Sequence, residues 1–371
     1  KAIGFDWNGD ITEATQKANT EGMLISNHSY GYASFTQNGN YALPSYYPGA
    51  YIADSKSWDQ IMYNAPYYLM VVAAGNDGNN PITNSPLSGL TGYDKLTGHA
   101  TAKNNLVVAN AQDASINAAG QLTSVTINNS SSQGPTDDLR IKPDITGNGT
   151  GVYSTYDGTD NAYNSITGTS MASPNVAGSL LLLQEHYSNL NNSNFMLAAT
   201  LKGLVLHTAD DAGPTGPDAV YGWGLLNAKK AAETISLKNY NSYIFELNIT
   251  NNSPQTITVN SDGVNELRAS ISWTDRPGDT TSNLNDPTPR LKTDLDIRVK
   301  KGTTTYMPWR LTGVTTNGKG DNIVDPFERV DVPNASGTYT IEITHKGTIP
   351  SQGQKVSLIV TGISASTCTA N

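Results

Sequence analysis

The chain has 371 residues, more than one ordinary domain needs and enough to bury a sizeable core. Charged residues make up only 15%, and the formal net charge of -9 would repel phosphate backbones, so no nucleic-acid partner is expected. No uninterrupted apolar run approaches membrane-spanning length, so no membrane partner is expected either, and the lone Cys368 cannot close an internal disulfide. That cysteine is either a free tail thiol or half of a bridge to a segment outside the chain.

The opening KAIGFDWNGD lacks the layout of a signal peptide and reads as the middle of a domain. Asp10 with Glu13 suggests a helix start and Gly22 its stop. MLISNHSYG follows as a buried strand. Trp58, Ile61, Met62 and Ala65 recur at helical spacing until Pro66. YYLMVVAAG is a near-continuous apolar run ended by glycine, the pattern of a parallel strand covered on both faces. NNLVVANA and the segment ending IKPDI predict further strands. SMASPNVAGSLLLLQEHY, NFMLAATLKGLVLHTA and NAKKAAETI predict helices. This alternation predicts an α/β domain built on a parallel sheet, over residues 1–237. From Tyr240 the period changes to two: YIFELNIT, TITVNS, ELRASISWT, DLDIRV, ERVDV, GTYTIEIT and KVSLIVTGI. Residues 238–371 therefore read as an all-β sandwich or jelly roll.

The densest chemical signal is GTSMASP, Gly168 to Pro174. A serine at the first turn of a helix meets unpaired N–H groups and the positive end of the helix dipole, both of which favour a developing oxyanion. Pro174 is tolerated there because an N–H so near the start has little to bond. Ala172, Ala177 and Gly178 are small enough to let a buried helix approach its neighbours.

With VVAAGND, Val71 to Asp77, at a strand end upstream, this motif resembles the subtilisin-like serine proteases (subtilases), of the larger alkaline type with a C-terminal β-barrel. ATAKNNLVVANA, SSQGPTDDLRIKPDI and YGWGLLNAKKAA extend the resemblance, as do SWTD, DLDI, DNIVDPFERV and SGTYTIEI in the second domain. The resemblance implies a secreted endopeptidase acting on protein or peptide substrates, with Ser170 as nucleophile and Asn76 as side-chain donor of the oxyanion hole. It further implies that Ser29, Tyr30 and Gly31 pair with substrate backbone, and that Ala73, Ala74 and Gly75 form the opposite wall of the primary pocket. Calcium is implied as well, with Asp294, Asp296 and Asp321 as candidate ligands.

The family's D-[ST]-G and H-G-T-H motifs, which supply the orienting Asp and the base His, occur nowhere in the chain. None of His28, His99, His186, His207 and His345 stands in a matching pattern. Two readings follow. In one, Asp and His lie on an upstream fragment of the same precursor, held non-covalently or through Cys368, and the present chain alone is inactive. In the other, the chain is a non-catalytic scaffold on the subtilase fold. The first is preferred, because without such a segment a sheet edge, the LMVVAAG strand and the LLLL run of the nucleophile helix would lose their neighbours.

Overall fold

The computed structural model describes residues 4, 9–33, 42–84, 87, 89–251 and 254–365; Cys368 lies outside them. Its first layer is a parallel sheet of four strands in the order β1 (Ile25–His28), β2 (Leu69–Ala73), β3 (Leu106–Ala111) and β4 (Ile145–Asn148). Successive side chains of a strand point to opposite faces, so the apolar run of β2 serves two cores at once. Leu69 and Val71 join Ala172, Val176 and Leu180 of α3 (Thr169–Leu190) on one face. Met70 and Val72 join Trp58, Ile61 and Met62 of α2 (Ala53–Asn64) on the other. α1 (Asp10–Thr20) packs beside α2, burying Ala14 in the same cluster.

α4 (Ala198–Thr208) is buried along its whole length. On its far side lies a β-sandwich of two four-stranded antiparallel sheets. One takes its strands from 255–260, 338–346, 294–301 and 304–306 in that order. The other, from 327–332, 267–272, 354–361 and 242–249, packs against α4. Inward residues of both sheets, such as Ile271, Leu295, Ile341 and Leu358, share one core. Gly203 lets α4 sit close: a Cβ there would stand 2.8 Å from Cβ of Ser272. α5 (Ala228–Ser236) closes the α/β layer.

The two layers are joined by buried polar groups. Lys103, fully buried, pairs with Asp275 and donates to the carbonyls of Arg276 and Arg290 at 2.6 and 3.0 Å. Asp275 also accepts the amides of Lys292 and Thr293. The Asn104 side chain donates to the carbonyl of Asp275 and accepts its backbone amide, both at 2.8 Å. Asp325 of the DNIVDPF segment accepts the amide of Ile141 at 2.9 Å. Two of the second-domain motifs are therefore seam residues.

One expectation about exposure is corrected. β2 lies between β1 and β3 and is fully covered, so LMVVAAG loses no neighbours. The open features lie elsewhere. β1 has no strand on its outer edge among the described residues, and Leu181 and Leu182 of α3 are 51% and 66% exposed. Gly178 also faces open space instead of a close neighbour.

Removing one partner of a buried ion pair strands the other. Asp275→Ala is expected to destabilise the chain by about 3–5 kcal/mol in denaturant melts, whereas replacing Lys103 and Asp275 together with Met and Leu recovers most of that loss.

Candidate active site

The site grows from a defect in a helix. Pro174 has no N–H, so the carbonyl of Ser170 lacks its partner four residues on. Ser29 supplies one: its Oγ donates to Ser170 O at 2.8 Å, and Ser170 Oγ donates back to Ser29 O at 3.2 Å. The pair locks the extended segment after β1 to the first turn of α3. Beneath it, Ser173 Oγ donates to Asn27 Oδ1 at 2.7 Å.

The opposite side is set by Thr169. Its N–H and Oγ donate to Asn76 Oδ1 at 3.0 and 3.2 Å, and its Oγ accepts the amide of Gly75 at 3.1 Å. With Oδ1 engaged, the NH₂ end of Asn76 is the end left for a ligand. The Met171 amide is held by the Gly168 carbonyl, while the N–H of Ser170 has no partner among the described residues. Gly75 has φ +102°, and a Cβ there would lie 2.9 Å from Ser132 Oγ, so a side chain would be strained twice over.

These groups line a single cleft of about 230 Å³ at the carboxyl ends of β1 and β2. Tyr30, Gly31, Ala73, Ala74, Gly75, Asn76 and Ser170 all border it. Ser29 meets it through Ser170. The hydroxyl of Tyr30 is engaged by Asp10 and His28. Lys95, Thr97 and His99 line it too, residues that motif reading passed over. The role of Thr169 was likewise missed, although it stands inside GTSMASP.

No histidine bonds to Ser170 among the described residues. His28 belongs to a buried relay: Tyr68 to Ser26 (2.7 Å), Ser26 to Nε2 (2.6 Å), Nδ1 to Tyr30 (2.5 Å), and Tyr30 to Asp10. Since Tyr30 donates to the carboxylate, Nδ1 carries the proton and Nε2 accepts. Burial, and then the nearby His99, push the His28 pKa down to about 3. His186 bonds Ser236, His207 bonds Ser270 and Thr361, and His345 bonds the carbonyl of Gly347.

The three carboxylates named for calcium do not fit it. Asp296 and Asp321 both pair with Arg298 and Lys346, and Asp294 pairs with Lys346 at 3.3 Å, so the positions a cation would take are held by cations. No cluster of three or more metal-type side chains occurs among the described residues. Asp94 and Asp137 fit better. Each has a buried oxygen without a hydrogen-bond partner, and both crowd the space beside Gly49, where a Cβ would meet them at 2.9 and 2.2 Å. Desolvation pushes Asp94 up to about 6; desolvation and the neighbouring Asp94 and Asp138 push Asp137 up to about 8.

With this geometry in hand, comparison with known proteins is decisive at one level. The family model of the subtilases matches residues 6–224, more than half of the chain. The chain belongs to the subtilase family. Subtilisin DY of Bacillus licheniformis is 30% identical over 165 residues, covering 44% of this chain and 47% of that protein. A PII-type proteinase of Lactococcus lactis subsp. cremoris is 44% identical over 75 residues, 20% of this chain; the match spans only 4% of that proteinase. Among solved structures, the patellamide maturation protease PatA superposes with a TM-score of 0.43 at 20% identity, over 61% of this chain and 69% of that one. As a subtilase, the chain has a parallel sheet with helices on both faces, followed by an antiparallel β-rich region.

A histidine whose folded pKa lies below its unfolded value binds a proton in the unfolded state first. Between about pH 3 and 6.5, His28 therefore makes stability rise with pH, by up to about 1.4 kcal/mol per unit, and acidification removes that stability. Denaturant melts across this range should show a shallower slope in His28→Gln; an unchanged slope would count against the relay.

Proposed function

We propose that this subtilase is the nucleophile-bearing part of a serine endopeptidase. What carries the reading is the convergence, in one cleft, of the Ser170 hydroxyl, the unpaired Ser170 amide and the oriented Asn76 amide. Ser170 attacks a peptide carbonyl, and the Ser170 N–H with Asn76 Nδ2 stabilises the oxyanion of the tetrahedral intermediate. The acyl-enzyme is then hydrolysed. The base His and orienting Asp come from an upstream segment of the same precursor; the outer edge of β1, unpaired among the described residues, and the exposed Leu181 and Leu182 of α3 support a seat for it. Substrates are proteins or extended peptides, paired along Ser29–Gly31. The β-sandwich supports the catalytic layer through the Lys103–Asp275 seam. The enzyme works outside the cell, a setting consistent with its low content of charged residues.

Supplying the upstream segment should allow a fluorophosphonate to label the chain, and Ser170→Ala should abolish labelling. Asn76→Ala should lower kcat about 10²–10³-fold, a magnitude established on a subtilisin and not obtained from this geometry. Labelling that survives in Ser170→Ala would assign the nucleophile elsewhere. Failure of the complemented chain to label at all would favour the non-catalytic scaffold.

Calcium, where bound, is proposed to sit on Asp94 and Asp137 and to screen the repulsion between two buried carboxylates. The melting temperature should rise on adding calcium to chelator-treated protein and fall back with chelator. Asp137→Asn should erase that shift, while Asp321→Asn leaves it intact.

A further inference from the structure

The extended segment after β1 is shaped from behind as well as from the front. Carbonyls of an extended strand alternate in direction, so Ser29 and Gly31 face one way and Tyr30 and Tyr32 the other. Ser29 O faces Ser170, as its bond to that hydroxyl shows. The rear set is taken by two side chains of a single turn. His99 Nε2 donates to Tyr30 O at 2.9 Å, and Thr97 Oγ donates to Tyr32 O at 2.9 Å.

That turn is built to hold the two donors still. His99 is 4% exposed, with Nδ1 facing Asp54 of α2 at 3.3 Å and its ring edge-on to Tyr30 with centroids 5.4 Å apart. Its Nε2 carries a proton, because its partner is a carbonyl. Gly98, between the two donors, has φ +58°, and a Cβ there would stand 2.3 Å from the Tyr32 ring. A glycine is thus required for Tyr32 to lie across the turn. On the front face, the N–H and C=O of Gly31 have no partner among the described residues. A segment whose rear carbonyls at Tyr30 and Tyr32 are paired, and whose front N–H and C=O at Gly31 are open, is a fixed template for an added strand.

We propose that Thr97 and His99, with Asp54 behind His99, are positioning residues that preset Ser29–Tyr32 for antiparallel pairing with an extended peptide of three or more residues on the acyl side of the scissile bond. This rests on the peptidase reading for the identity of the peptide as substrate. The clamp itself is testable without catalysis.

A fluorescent N-acyl tetrapeptide acid, a product-like ligand, is titrated against the chain by anisotropy, with an N-acyl single-residue acid as control. His99→Ala and Thr97→Val are each expected to weaken tetrapeptide binding about tenfold, the cost of an orphaned buried carbonyl, and His99→Gln to restore most of it through its amide donor. Displacement of the fluorescent tetrapeptide by the single-residue acid, read by the same anisotropy, should give an affinity for that acid that changes less than about threefold between the parent chain and the variants. In the complemented enzyme, the same variants should raise KM for a tetrapeptide substrate and leave kcat nearly unchanged. Thr97→Val, close in shape to the native residue, serves where His99→Ala fails to fold. Unchanged tetrapeptide affinity in both variants, equal losses for both ligands, or no tetrapeptide binding by the parent chain would each overturn the clamp. Binding with the expected losses but no fluorophosphonate labelling would retain the clamp and sink the peptidase reading.

Discussion

Pro174 removes one hydrogen bond from the start of α3, and the architecture of the cleft follows from how that vacancy is filled. The orphaned carbonyl of Ser170 takes the hydroxyl of Ser29, and the hydroxyl of Ser170 takes the carbonyl of Ser29. A strand end and a helix start, 141 residues apart, are thereby fixed face to face. Thr169 does the same for the other wall, binding Asn76 through one oxygen and Gly75 through its own. Three positions of α3 (169, 170 and, through its missing donor, 174) thus tie together the segments that follow β1 and β2 on either side of the cleft. A proline that is merely tolerated near a helix start would leave its carbonyl to water; here it creates an attachment point.

Polar groups do comparable work in the interior. The parallel sheet and the β-sandwich meet across α4, with charged side chains buried in the seam and satisfied there. Lys103 has a carboxylate and two carbonyls, and Asp144 receives both Lys142 and Lys202. Burial alone would push the Lys142 ammonium toward neutrality, and its pKa falls to about 7 even with Asp144 attached. Such pairs add little net stability against apolar replacements, but removing either partner leaves the other buried and uncompensated.

Much of this was legible in the chain. The two-sided apolar run of β2 announced a covered parallel strand, and the shift to period two near Tyr240 announced the sandwich. GTSMASP with VVAAGND located the helix start and the wall opposite it. What the sequence hid were roles that depend on through-space partners. Thr97 and His99 sit in an ordinary-looking GYDKLTGHATAKN stretch, and nothing in their spacing says that Tyr30 and Tyr32 present carbonyls to them. Asp294, Asp296 and Asp321 stood as candidate ligands for the calcium that the resemblance implies; Arg298 and Lys346, distant in sequence from one another, neutralise them. Asp94 and Asp137 are separated by 43 positions and become neighbours only around Gly49. The exposure of Leu181 and Leu182 was anticipated for the LLLL run, yet the same argument failed for β2 because strand order, not hydrophobicity, decides which strand is at the edge.

The complete burial of α4 has an architectural consequence. Its Leu201, Leu204 and Val205 belong to the core under the parallel sheet, while Gly203 and His207 rest on the sandwich, so the helix is a party wall shared by both halves. The change of periodicity near Leu237 marks a seam in the text of the sequence, yet α4, which precedes it, is packed against both halves. Cutting there would leave one half with a raw helix flank and the other with an unroofed sheet. Evolution or engineering that exchanges the sandwich must therefore redesign α4 with it.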